Sequence, residues 1–190
     1  VKLRGGCIHH DNGILGACGF AEAEERRICI MKQAGYNAVR CAHNPASRAL
    51  LDACDRLGMY VMDEAFDGWF TPKTHHDYSR IFESAWREDL SAMIQKDYNH
   101  PSVVLYSIGN EVTETACEQG VQTAEQMTAL AHTLDNTRPV TAGINVLLNV
   151  YNQKGIGVYK ETESYKPEPL PPKKQEEKKK ESGWLPKTPD

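Results

Sequence analysis

Apolar residues in the first 150 positions follow two alternating rhythms. Short runs such as "SVVLYSIGNE" are apolar almost throughout, as in a strand buried on both faces. Between them lie stretches whose apolar positions recur at helical spacing. "KLRGGCIHH" reads as a strand, and "AEERRICIMKQAG" as a helix ended by Gly35. "NAVRCAH" is a strand. "SRALLDACDRLG" is a helix with Leu50, Leu51, Cys54 and Leu57 on one face and Gly58 past its end. "YVMDEAF" is a strand, and residues 84–98 form a helix with Trp86, Leu90, Met93 and Ile94 aligned. "SVVLYSIGNE" is the fourth strand. Residues 118–135 are a helix with Ala124, Met127, Ala131 and Leu134 on one side, and "PVTAGIN" is the fifth strand.

Strand–helix alternation with short apolar strands predicts a parallel sheet covered by helices. Two architectures compete, a doubly wound open sheet and a barrel. No glycine-rich phosphate loop follows any strand, which counts against the nucleotide-binding open sheets. Polar residues instead gather at the C-terminal ends of the strands: His9 and His10; Arg40 and His43; Asp63, Glu64 and Asp67; Asn110 and Glu111; Asn145. Barrel enzymes build their sites at that face. The fold class expected is therefore α/β, a (β/α)8 TIM-barrel type cut to about its first five βα units.

Composition changes from about Tyr151. Six of the ten prolines lie at Pro167 or beyond, and "PPKKQEEKKKES" is a charged low-complexity run. Such a stretch cannot bury enough apolar surface to offset its ordering entropy. The expected organisation is a partial barrel over 1–150 and a Pro/Lys/Glu-rich loop or disordered tail over 151–190. The 190 residues are 40% hydrophobic and carry a net charge of -4, so nothing points to nucleic acid or an anionic membrane. No apolar run is long enough to span a bilayer. The chain opens at Val1, which leaves the cytoplasm, the periplasm and the exterior equally open. The six cysteines form no CxxC pair and read as buried free thiols.

Glu111 is the strongest candidate for chemistry. A carboxylic acid held among apolar walls keeps its proton, as a general acid needs when it protonates a departing oxygen. A surface carboxylate capping the next helix is the plain alternative. Asn110 can both donate to and accept from a sugar hydroxyl. Asp63 and Glu64 point to opposite faces of their strand. Asp63 is expected to face the barrel interior, with an ion pair to Arg40 as the rival role for both. Asp67 and Trp69 suit a sugar ring, whose C–H face stacks on an indole, although a core tryptophan fits equally well. His9, His10 and Asp11 resemble a metal cluster but lack a ligand spacing that aims two rings at one ion, so neither metal nor cofactor is expected. His75 and His76 lie in a polar loop.

Three motifs together resemble the catalytic barrel of glycoside hydrolase family 2: "NAVRCAHNP" (37–45), "LDACDRLGMYVMDEAFD" (51–67) and "KDYNHPSVVLYSIGNE" (96–111). "LRGGCIHHDNGILG" (3–16) is similar to the family's first barrel strand, and "HHDNG" and "DEAFDGW" look most like its β-galactosidase-type members. The resemblance implies that Glu111 is the acid/base of a retaining mechanism and that Asn110 contacts the hydroxyl at sugar carbon 2. It further implies a sugar contact for His43 and places the family's "DEA" aspartate at Asp63. Asp67, Trp69 and His9 complete the expected substrate-binding set. Tyr106 stands where many members carry Trp.

A retaining hydrolase needs a second carboxylate about 5–5.5 Å from the first. In the family it comes from a Glu on a later strand, and Glu161 and Glu163 do not match that motif. The resemblance thus implies a barrel fragment whose partners are a β-galactoside-type carbohydrate, the rest of the barrel and its β-sandwich domains, with self-association possible through open sheet edges. β-Glucuronidase and β-mannosidase are the nearest alternatives. A non-catalytic carbohydrate-binding or assembly fragment is the alternative from another class.

Overall fold

The structure, a computed structural model, describes residues 1–156. Five parallel strands lie side by side in chain order: β1 (Gly5–His9), β2 (Ala38–Ala42), β3 (Tyr60–Glu64), β4 (Val103–Asn110) and β5 (Val140–Gly143). Helices α1 (Ala21–Gln33), α2 (Arg48–Leu57), α3 (Ser79–Asp97) and α4 (Glu118–Leu134) form the crossovers, as parallel neighbours require. The partial (β/α) barrel expected from the sequence is what forms.

Local signals set the boundaries. The Ser47 hydroxyl accepts from the Leu50 N–H at 3.1 Å and starts α2. Gly58, at φ 69°, ends it and donates to the Cys54 carbonyl. α3 begins five residues ahead of the expected 84, where Asp77 accepts from the Ser79 N–H at 3.0 Å. A helix the sequence did not suggest, α5 (Val146–Gln153), starts at Asn145, whose side chain accepts from the Leu147 and Leu148 N–H groups. It crosses the boundary expected at residue 150. The low-complexity run lies outside the described residues.

The core sits between the sheet's outer face and the helices. Val39, Cys41, Val61, Tyr106 and Ile108 pack there against Ile28, Leu51, Phe82, Trp86, Leu90, Ile94 and Met127. All six cysteines are free thiols, as expected, but only Cys41 and Cys54 are buried; Cys7, Cys18 and Cys117 are exposed and Cys29 is half-buried. Cys7 is exposed because it faces inward, and the inner side of a five-strand sheet is open. Register aligns Cys7 with Arg40, Arg40 with Met62, and Met62 with Leu105, so these share that inner face. No helix among the described residues is long and apolar enough to cross a membrane.

Candidate active site

Register also decides which acid of β3 faces inward. Side chains two apart share a face, so Glu64 follows Met62 to the inside and Asp63 follows Val61 to the helices. Asp63 is fully buried and accepts from the Ala46 N–H at 3.0 Å. The expectation that Asp63 faces the barrel interior is thus overturned, and Glu64 takes that place. Arg40 grips Glu64 Oε2 with Nε at 2.8 Å and Nη2 at 2.6 Å. Ser107 donates to the same oxygen at 2.5 Å, and His43 Nδ1 lies 2.7 Å from Oε1. Glu64 is fully buried, so these donors replace its lost water shell.

Strand β4 brings in the next residues. Between Ser107 and Asn110 its register with β5 shifts, which places one extra residue on β4. Simple alternation from Ser107 would turn Asn110 outward; the bulge re-aims it inward. The Asn110 amide oxygen accepts from Arg40 Nη2 at 2.9 Å, and its nitrogen donates to Asp67 Oδ1 at 2.9 Å. Glu111 follows at φ 46°, a left-handed conformation unusual for a residue other than glycine. Such strain persists only where the surroundings fix it. Lys73 Nζ donates to the Asn110 carbonyl at 2.7 Å, which orients the peptide entering Glu111. Asn145 Nδ2, at the end of β5, donates to Glu111 Oε1 at 3.0 Å.

Lys73 also donates to Asp67 Oδ1 and to the Asp67 carbonyl, each at 2.8 Å. Burial works against the Asp67 charge, but the hydrogen bonds from Lys73 and Asn110 outweigh it and hold the carboxyl below the usual range. Asp67 is therefore an ionised acceptor at the strand ends. His9 is exposed on β1, its ring edge-on to His43 at 5.3 Å. Trp69 behaves otherwise. It is fully buried, donates to the Ile108 carbonyl at 2.8 Å and stacks on Phe82. The expected sugar platform is a core residue, turned inward by that carbonyl and by the aromatic cluster of Phe66, Phe70 and Phe82.

The arrangement unites Arg40, His43, Glu64, Asp67, Asn110 and Glu111 at the C-terminal ends of β2, β3 and β4. Sequence reasoning missed Ser107 and Lys73. Alternation from Leu105 signals Ser107, whereas nothing in "TPKTHHD" marks Lys73. Among the described residues, Asp52, Asp55 and His100 are close enough to hold a metal ion. They lie at the opposite end of the strands, and the Asp55 oxygens already accept from Ser102 N at 2.9 Å and face His100 Nδ1 at 2.7 Å.

Residues 1–183 match the family described as glycosyl hydrolases family 2, TIM barrel domain. The chain belongs to this family. The beta-galactosidase BoGH2A of Bacteroides ovatus is 41% identical over 176 residues, covering 76% of this chain and 21% of that protein. A putative beta-glucuronidase of Formosa agariphila is 36% identical over 144 residues, covering 75% of this chain and 13% of its own length. A crystal structure of a glycosyl hydrolase family 2 member from Bacteroides cellulosilyticus aligns at TM-score 0.74 with 55% identity, over 76% of this chain and 19% of that one. The chain thus spans about a fifth of the length of these family 2 relatives, or less.

Proposed function

We propose that this barrel segment is the acid/base half of a retaining β-glycosidase acting on β-galactosides. The observation that supports it most is Glu111 itself, a carboxyl at the end of β4 held in a strained backbone state beside Asn110. With Oε1 engaged by Asn145, the transferable proton belongs on Oε2. Glu111 first gives that proton to the departing glycosidic oxygen, then takes one from the attacking water. Asn110, fixed at its oxygen by Arg40 and at its nitrogen by Asp67, contacts the hydroxyl at carbon 2. His43 presents its Nε2 to the sugar, because Nδ1 faces Glu64. Asp67 and His9 complete the rim. The nucleophilic carboxylate comes from a later strand of the same barrel, as the family resemblance implies.

A β-glucuronidase is the second reading, favoured by the 36% identity to the Formosa protein of that name. A panel of p-nitrophenyl glycosides on the whole hydrolase that carries this segment separates the two. Preference for the β-galactoside supports the first, preference for the β-glucuronide the second, and no turnover of any sugar refutes both.

A further inference from the structure

Asp63 was expected at the sugar, and the structure puts it behind the sheet. There it meets a small buried assembly. The Ala46 N–H donates to Asp63 Oδ1 at 3.0 Å, and Lys96 Nζ donates to the Ala46 carbonyl at 2.8 Å. Lys96 also holds both oxygens of Asp97 at 2.5 Å. Asp63 and Asp97 are both fully buried. Asp63 Oδ2 is buried with no hydrogen-bond donor facing it, and the Asp97 carboxyl beside it works against its charge.

Two buried carboxyl groups side by side resist double ionisation, and a proton on one of them relieves the repulsion. Lys96 donates to both Asp97 oxygens, whereas Asp63 Oδ2 has no donor, and this places the proton on Asp63. Burial first and Asp97 second push the Asp63 carboxyl well above the usual range, while the Ala46 N–H and Lys96 oppose them more weakly. Cys41, also behind the sheet, is held in its neutral thiol form, chiefly by burial.

Ala46 is three residues beyond His43, in the loop between β2 and α2. Its N–H and its carbonyl are both gripped from behind the sheet, and the other end of the loop continues strand β2. We propose that Asp63 is a positioning residue: as a neutral acid it donates to Asp97, accepts from Ala46, and so fixes the 43–46 loop that sets His43 against Glu64. The consequence for sugar binding rests on the reading of His43 given above; the loop geometry itself does not.

The test uses this chain and needs no glycosidase activity, so it stands or falls separately from the proposed function. Asp63→Asn keeps an acceptor for Ala46 and supplies an N–H toward Asp97, mimicking the protonated acid. The infrared spectrum of the unsubstituted chain at pH 7 is expected to show a carboxylic-acid C=O band that Asp63→Asn removes. The imidazole NMR signals of His43 are expected to stay in place in Asp63→Asn and to shift in Asp63→Ala. Should Asp63→Ala fail to fold, Lys96→Met, which frees the Ala46 carbonyl, is expected to shift the same signals. The proposal is overturned by the absence of the acid band at pH 7 or by an Asp63→Asn chain that is unfolded or has shifted His43 signals. It is equally overturned by His43 signals that stay unmoved in the folded Asp63→Ala chain or, failing that chain, in Lys96→Met.

Discussion

At the scale of single residues, direction decides role. Trp69 and Asp67 are two positions apart after the same strand, yet one is core and the other is a half-buried acceptor at the rim. Removing the indole therefore costs stability. Trp69→Phe leaves the buried Ile108 carbonyl without its donor, a loss of about 1–3 kcal/mol, measurable by urea unfolding. Sugar affinity of the folded variant is expected to stay unchanged; a selective loss of affinity at intact stability would contradict this placement. Asp63 and Glu64 make the same point from the sequence side. Alternation showed that they face opposite ways, but not which way each faces. That needs the register of Arg40 with Met62, which no single strand contains. The bulge that turns Asn110 inward is equally a property of two strands. The apolar strands marked where Asn110, Glu111 and His43 would lie, but strand-end position alone left their roles open, and only the family resemblance implied them. Lys73 was not legible, because a loop lysine in a polar segment looks like any solvated charge.

At the scale of elements, helix periodicity and the glycines after helix ends made the four crossovers readable, and the errors fall at helix starts set by side-chain turns rather than by apolar spacing. α3 starts early because Asp77 accepts from the Ser79 N–H in a turn ahead of the helix, a turn that apolar spacing does not show. The join between α4 and β5 has its own lock. Asp135 accepts from the Thr137 N–H at 2.9 Å, Arg138 Nη1 at 2.6 Å and the Tyr106 hydroxyl at 2.9 Å. Burial opposes its charge, but these donors win and hold its carboxyl well below the usual range. The stability it adds is thus present above the ordinary aspartate value of about 3.9 and is lost as pH falls below that toward the folded value. Asp135→Asn is expected to be less stable than the parent at pH 7, by a gap that narrows below about pH 4. A gap independent of pH in urea unfolding would count against this lock.

At the scale of the whole molecule, five parallel strands with outer helices leave three surfaces that no other described residue covers: the edge of β1, the edge of β5 and the inner face bearing Cys7, Met62 and Leu105. In a closed barrel these meet further strands. In the chain studied alone they present unpaired backbone groups, and such edges recruit other chains. Light scattering is expected to find dimers or larger species; a clean monomer at all concentrations would contradict it. The role proposed for Glu111 is to carry the proton that leaves with the glycosidic oxygen. The most direct measurement compares the full-length protein that carries this segment with its Glu111→Gln variant on p-nitrophenyl β-galactoside and on an alkyl galactoside, whose poorer leaving group needs more help from an acid. Glutamine cannot donate that proton, so turnover of the alkyl substrate is expected to fall by about 10²-fold or more, with the aryl substrate less affected. Equal activity of the two proteins on the alkyl galactoside would contradict the account.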